Sequence, residues 1–383
     1  MSKPQILVAL GCFWPGNDAS GPNQSFIALA TALQSEFDFR VLARDREPGA
    51  AASTAPRGWV DLGFAQARYL EIGRFGARGL GQLLRETPHD VLWLNSVYDR
   101  EFTLPALWAA RGLGASKARV ILSPRGEFGS GALDVKAGKK RVFLQLARTL
   151  GLWRGVTWHA TSEAEAKDFA AQTPEGAAIV VAPNLRLMLS PPAFQPPGEA
   201  LRVIFVGRIA PIKGLDIALK VLASLRFPVV FEIFGPAEDA ATYAEAQAVA
   251  ANLPPNVAVH WRGAASNETV VDALARSDIF LLPTSGENFG HAIFEALSCG
   301  VPVLISDRTP WRDLAARKAG WDLPLSDASA FVAALEAYAA LGPDARAAWR
   351  EAARACARAY VEESGAAAAT AALIRRAIGR NDR

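Results

Sequence analysis

The chain has 383 residues, of which 51% are hydrophobic and 21% charged, and a formal net charge of +3. Its length exceeds one ordinary core and suits two domains, while this balance of apolar and charged residues excludes wholesale disorder. The small net charge argues against a dedicated nucleic-acid binder, whose phosphate contacts demand a concentrated basic face.

In chain order, short apolar strands alternate with helices. Gln5–Leu10 reads as a strand, Asn23–Leu33 as a helix and Phe39–Ala43 as a strand, followed by strands at Asp90–Leu94, Arg119–Leu122 and Thr157–Thr161. Ser190–Gly198 (SPPAFQPPG) is proline-rich and reads as an interdomain linker. The alternation restarts with Leu201–Val206, Val229–Phe234, Val257–Trp261, Ile279–Leu282 and Val301–Ile305, and the Ala- and Arg-rich tail from about Pro343 is largely helical. Near-continuous apolar strands with intervening helices indicate parallel sheets covered on both faces. The expectation is an α/β protein of two doubly wound, Rossmann-like domains, residues 1–190 and 191–365, facing an interdomain cleft. Residues 366–383 form a C-terminal helix that could pack back on the first domain. Open parallel sheets bind ligands at the carboxyl ends of their strands, so that cleft is the expected site.

Cys12, Cys299 and Cys356 are odd in number, far apart and without metal-ligand spacing, which suits a reducing cytoplasm. The N-terminal apolar run is too short for a signal peptide, and no stretch approaches the roughly 20 apolar residues that cross a bilayer. Lys136–Arg154 combines cations with an apolar helical stripe. It reads either as a solvated helix covering its domain or as peripheral contact with anionic lipid at the inner face of the cytoplasmic membrane.

The richest stretch is Ser285–Val303 (SGENFGHAIFEALSCGVPV). A strand ends at Pro283, a loop follows to Gly290, and a helix runs from about His291 to Leu297, with Gly300 as its C-cap. Glu287 falls on the loop, and Glu295 lies more than a turn into the helix. Gly290 lets the backbone approach a ligand closely, and the amides around Phe289–His291 favour phosphate. Carboxylates accept from vicinal sugar hydroxyls, so the loop suits a sugar nucleotide. The plainer reading is a capped helix with two solvated glutamates.

A second constellation is Phe205–Leu215 (FVGRIAPIKGL), where Gly207, Arg208, Lys213 and Gly214 lie between a strand and a helix start. Two cations there can meet a diphosphate leaving group as its charge develops, although surface cations bracketing a turn would look the same. These stretches resemble retaining glycosyltransferases of the GT-B fold, specifically glycosyltransferase family 4, with its E-x7-E motif and ENFG-like start. The resemblance implies that Glu287 lies against the donor sugar, Glu295 binds the nucleotide ribose, and Arg208 and Lys213 hold the donor phosphates. It implies donor contacts by Gly207, Asn288, Phe289, Gly290 and His291. Phe234-Gly235-Pro236 looks like the family's nucleotide-facing turn, with Glu238 nearby. Thr309-Pro310-Trp311 and Gly320-Trp321 look like a pattern of members that assemble cell-surface polysaccharides.

Gly11–Pro22 follows the first strand and is glycine-rich without being a G-x-G-x-x-G fingerprint, which disfavours a nicotinamide dehydrogenase. The family has a glycine-rich loop here, close to donor phosphate and acceptor. That makes Gly16 and Gly21 candidates, with Asn23 either capping the helix or touching a ligand. Ser123-Pro124-Arg125-Gly126-Glu127 stands where many relatives carry His-Gly. Arg125 could contact donor phosphate or sugar and Glu127 the acceptor, or either could form a structural ion pair. Ser162 with Glu165 reads as a capping box.

The implied activity transfers a sugar from a UDP-, GDP- or ADP-sugar to a glycan or lipid-linked acceptor, in polysaccharide or lipopolysaccharide synthesis. No metal and no cofactor are expected, because the cations neutralise the leaving group and no acidic or histidine cluster has ligand spacing. Two rivals are a sugar-nucleotide epimerase of the same fold and a non-catalytic sugar-binding protein.

Overall fold

The computed structural model describes residues 2–379 except 18–19, 48, 54, 72–75, 113–118, 129–142, 146, 171 and 197. The chain forms two compact units, Met1–Arg186 with Gly365–Arg383, and Leu187–Ser364. In unit 1, strands β1 (Gln5–Ala9), β2 (Asp38–Arg44), β3 (Trp59–Asp61), β4 (Gln66–Leu70), β5 (Val91–Asn95), β6 (Arg119–Ser123), β7 (Thr157–Ala160) and β8 (Ala178–Val181) build one sheet. Their order is β3-β4-β2-β1-β5-β6-β7-β8, parallel except for the β3–β4 pair. Helices α1 (Gly21–Leu33), α2 (Gly76–Glu86), α3 (Thr103–Gly112) and α4 (Glu163–Ala170) connect them.

Unit 2 repeats the plan with β9 (Leu201–Val206), a 3-10 turn (Pro211–Lys213), α5 (Leu215–Ala223), β10 (Val229–Phe234), α6 (Ala240–Ala250), β11 (Val257–Gly263) and α7 (Asn267–Arg276). It continues through β12 (Ile279–Leu282), α8 (His291–Ser298), β13 (Val303–Ser306), β14 (Gly320–Leu323), α9 (Ala328–Ala339) and α10 (Pro343–Glu363). The strand order β11-β10-β9-β12-β13-β14 is parallel throughout. Every residue of β12 and β13 is buried, as sheets covered on both faces require. The last helix, α11 (Ala366–Gly379), belongs to unit 1, where Leu373 and Ile374 join the core around β1 and β2. No helix among the described residues is long and apolar enough to cross a membrane.

Topology fixes where each sheet opens. In unit 2 the chain runs from β9 outward through β10 and β11, then returns to β12 on the other side of β9. In unit 1 it runs outward from β1 through β2, β3 and β4, then returns to β5 beside β1. At such a reversal the connections leave in opposite directions, and the carboxyl ends of the two strands flank a crevice.

Several expectations are corrected. Asn23 does not cap α1: Ser20 is the N-cap, Pro22 sits in the first turn with its backbone already helical, and Asn23 is buried, donating to the Cys12 carbonyl at 2.9 Å. Ser190–Gly198 is not a free linker but lies inside unit 2. There Phe194 packs between Arg350, 3.3 Å from its ring centre, and Arg202, at 5.5 Å. Just ahead of that segment, Leu189 donates to Ser298 Oγ at 2.7 Å. The capping box at α4 forms by half, because Ser162 Oγ accepts from the Glu165 amide at 3.1 Å while the Glu165 carboxylate turns to Thr161 and Gly126. Of the basic stretch that begins at Lys136, residues 136–142 lie outside the described residues. Beyond them Leu144, Ala147, Leu152 and Trp153 are buried in the unit 1 core.

Candidate active site

Unit 2 assembles its polar residues where β9 and β12 diverge. β9 delivers Gly207 and Arg208, and the 3-10 turn carries Lys213 back over the strand end. The turn closes on Gly214, whose left-handed backbone (φ 69°) brings it against Pro283 so closely that a Cβ would collide with the Pro283 carbonyl. The loop after β12 is tied to the same turn. Ser285 donates its amide to Ile212 O at 2.8 Å, Thr284 Oγ1 donates to that oxygen at 2.9 Å, and the Ser306 hydroxyl donates to Thr284 O. Across this junction Lys213 Nζ meets Glu287 Oε1 at 2.5 Å, with side-chain exposures of 16% and 12%. The Glu287 amide donates to Arg308 O at 3.1 Å, so backbone as well as charge holds the carboxylate in place.

Arg208 pairs with Glu238, which follows β10, but the two side chains are 56% and 48% exposed. Each cation therefore has a carboxylate partner and remains close to the strand ends. Among the described residues no three His, Cys, Asp or Glu side chains group to hold a metal ion.

The remaining candidates divide by orientation. Gly290 (φ 81°) is the N-cap of α8, and His291 is its first residue, the ring 4.9 Å from that of Phe289. Asn288 is half-buried on the loop. Phe289 turns inward to pack against Phe294, Trp311 and Tyr360, and its carbonyl accepts from Trp311 Nε1 at 2.7 Å. Its side chain is core, so only its backbone remains for a ligand. Glu295 is only 5% exposed, in the second turn of α8. Gly207 and Gly235 touch through their backbones: Gly207 donates to Phe234 O at 2.9 Å, and a Cβ on Gly235 would collide with Gly207 O. Trp311 anchors the loop, Trp321 stacks on Trp349 at 4.4 Å, and Gly320 allows close pairing with β13. Packing thus accounts for the Thr-Pro-Trp and Gly-Trp pattern.

In unit 1, Gly16 lies in an open turn after β1 and Gly21 begins α1. Arg125 follows β6 in a left-handed conformation (φ 56°), as does Ser96 (φ 70°) after the neighbouring β5. The Glu127 carboxylate joins the two turns, accepting from Ser96 Oγ at 2.5 Å and from the Val97 amide at 2.6 Å. Arg125 donates to Asn95 Oδ1 at 3.1 Å and to Asn184 Oδ1 at 2.8 Å. Beneath it Trp93 Nε1 donates to Ser123 Oγ, His159 Nδ1 lies 2.8 Å from that hydroxyl, and His159 Nε2 lies 2.8 Å from Ala182 O. A carbonyl partner fixes the proton on Nε2, leaving Nδ1 to accept from Ser123. Burial, reinforced by the Arg125 charge and opposed by the bond to Ala182, pushes the imidazole down to about 3. Asn95 and Asn184 escaped sequence reasoning. The available signal was a polar side chain closing an apolar strand, as in VLWLN.

Residues 190–355 match the family described as glycosyl transferases group 1, and residues 20–185 match the glycosyl transferase 4-like domain. The chain is similar to a D-inositol 3-phosphate glycosyltransferase of Jonesia denitrificans, 32% identical over 27% of the chain and 26% of that protein. It is similar also to a phosphatidyl-myo-inositol mannosyltransferase of Mycolicibacterium smegmatis, 32% identical over 36% of each. These alignments span only about a quarter to a third of the relatives' own length. Among solved structures, Anabaena HepE in complex with UDP and glucose superposes with a TM-score of 0.66 at 15% identity, covering 97% of the chain and all of that protein.

Proposed function

The chain belongs to the glycosyl transferases group 1 family, with the GT-B class of fold, and we propose that it is a retaining transferase taking its sugar from a nucleotide-sugar donor held by unit 2. The acceptor on this reading is a hydroxyl of a glycan or lipid-linked saccharide, in cell-surface polysaccharide or lipopolysaccharide assembly at the cytoplasmic face of the membrane. The observation that carries the proposal is the Lys213–Glu287 pair where β9 and β12 diverge. It offers a fixed cation for phosphate and a fixed carboxylate for sugar hydroxyls within one side chain's reach. The UDP and glucose held by HepE agree with a UDP-hexose as the first donor to try.

On donor binding the diphosphate takes over Lys213 and Arg208 from their carboxylate partners, and Glu287 is freed to accept from the sugar's hydroxyls. The bond from the anomeric carbon to diphosphate oxygen breaks, and the acceptor oxygen bonds to that carbon from the same face. The acceptor's proton passes to the departing diphosphate. Lys213, Arg208 and the amides at the start of α8 stabilise the negative charge that develops. Two cations already supply the neutralisation, so the reaction on this reading needs no divalent ion. Glu295 and Asn288 would contact the nucleoside and sugar.

A thermal-shift panel of UDP-, GDP- and ADP-sugars tests the donor site, because a ligand that binds the native state raises its midpoint. At least one should raise the wild-type midpoint and fail with Lys213→Ala, and EDTA should leave the shift intact. No response to any nucleotide sugar overturns the reading.

A further inference from the structure

Unit 1 carries a cation that, among the described residues, has no carboxylate bonded to it. Arg125 sits at the carboxyl edge of its sheet and reaches across to Asn95 at the end of β5, one of the two strands that flank the unit's chain reversal. A guanidinium has five N–H donors. Two of Arg125's are taken, both by neutral amide oxygens, and among the described residues no carboxylate forms an ion pair with it. The carboxylates nearby are committed elsewhere. Glu127 accepts from Ser96 and Val97, and Glu165 accepts from Gly126, Thr161 N and Thr161 Oγ1 at 2.6 to 2.7 Å.

A cation drawn from water and hydrogen-bonded only to amides is costly, and the nearby Glu165 charge offsets part of that cost without bonding to it directly. Burial does lower the affinity of this guanidinium for its proton. The backbone adds to the cost, since Arg125 and Ser96 are both left-handed without being glycine, and such strain concentrates where ligands are gripped. Part of the residue stays accessible at the carboxyl edge of the sheet. Asn95 and Asn184 hold the fork by two of its edges, so its remaining donors keep a fixed aim. A planar fork so held is matched by two oxygens of one oxyanion.

We propose that Arg125 is an oxyanion-recognising residue of unit 1, and that the acceptor carries a phosphoryl or carboxylate group that docks on it. Its placement on the acceptor, rather than on another small molecule, rests on the transferase reading given above. The oxyanion site itself does not.

The test uses the full chain, labelled with 15N, and follows the indole N–H of Trp93 (identified by Trp93→Phe) during titration with inorganic phosphate, acetate or chloride at matched ionic strength. Phosphate or acetate should shift that signal saturably while chloride does not. The anion that saturates at the lower concentration tells a phosphoryl group from a carboxylate. Arg125→Gln should weaken the response by about tenfold or more, the scale of a lost charge-assisted hydrogen bond, and Arg125→Lys by less. Equal response to chloride, no response to either oxyanion, or an unchanged titration in Arg125→Gln overturns the proposal. Should Arg125→Gln fail to fold, the Lys variant decides: an affinity equal to wild type counts against the fork. Failure of the donor reading would register separately, as loss of nucleotide-sugar binding with the Trp93 response intact.

Discussion

The two ion pairs of unit 2 look alike on paper and differ in what surrounds them. Lys213 and Glu287 are mostly shielded from solvent, so removing one partner strands a partly desolvated charge. Arg208 and Glu238 are half in water, where a pair contributes only about 0.2–1 kcal/mol and salt screens it. Glu238→Gln should therefore leave the urea midpoint almost unchanged, whereas Glu287→Gln should lower stability by about 1–3 kcal/mol. On the proposed mechanism Lys213→Ala should reduce turnover by ~100-fold or more, because that reading has Lys213 meet the charge developing on the leaving group. Equal urea midpoints for the two glutamate variants would show that burial does not separate the pairs. The charged members of this site were legible in sequence because Arg208, Lys213 and Glu287 each follow an apolar strand next to glycine. The inward turn of Phe289 was not, because it depends on Trp311 arriving from 22 residues downstream to take its carbonyl.

At the scale of elements, central strands announce themselves and edges do not. β5, β12 and β13 are buried along their whole length and read as apolar runs, β5 and β13 each closing on one polar residue (Asn95, Ser306). β3, β4 and β14 include exposed or half-exposed positions, and WVD, QARYL and GWDL carry too little hydrophobic signal to stand out. β8 (AIVV) is apolar but half-buried throughout and only four residues long. Polar groups that close a strand can also hold it to its neighbours. Trp93 on β5, Ser123 on β6 and His159 on β7 form one chain of hydrogen bonds across three strands. The imidazole in that chain stays neutral down to about pH 3, against an ordinary value of 6.5. Between those limits the unfolded chain binds a proton that the folded one refuses, so stability is fully present above about pH 6.5 and falls as the pH drops toward 3. The slope from this group approaches ~1.4 kcal/mol per pH unit. His159→Gln, which still offers a donor and an acceptor, should flatten the decline. Hydrogen exchange of β5, β6 and β7 between pH 6.5 and 4 measures it, and an identical pH dependence in the variant would refute the assignment.

For the whole molecule, chain order and spatial order part company at Gly365. The backbone takes a left-handed conformation there (φ 61°), and α11 enters the core of unit 1 although all of unit 2 lies between it and the rest of that unit in sequence. Ala371, Leu373, Ile374 and Ala377 are all buried there with residues of β1, β2 and α1. Local sequence shows only an Ala-rich amphipathic helix. Nothing in its spacing says which sheet receives it, because both present apolar faces. Unit 1 thus depends for part of its core on a segment that follows all of unit 2 in sequence, while the Lys213–Glu287 pair is built wholly from unit 2 residues. Leu373→Ala removes a fully buried side chain and should cost unit 1 about 2–5 kcal/mol. On the proposed reading nucleotide-sugar affinity should stay within about twofold of wild type, because Leu373 packs in the unit 1 core and the proposed donor residues belong to unit 2. Chemical unfolding followed by hydrogen exchange locates the loss: protection should fall across β1, β2 and α1 and persist across β9, β12 and β13. Uniform loss over both sheets would mean that the two units unfold as one cooperative body, and that the returning helix stabilises unit 2 as well.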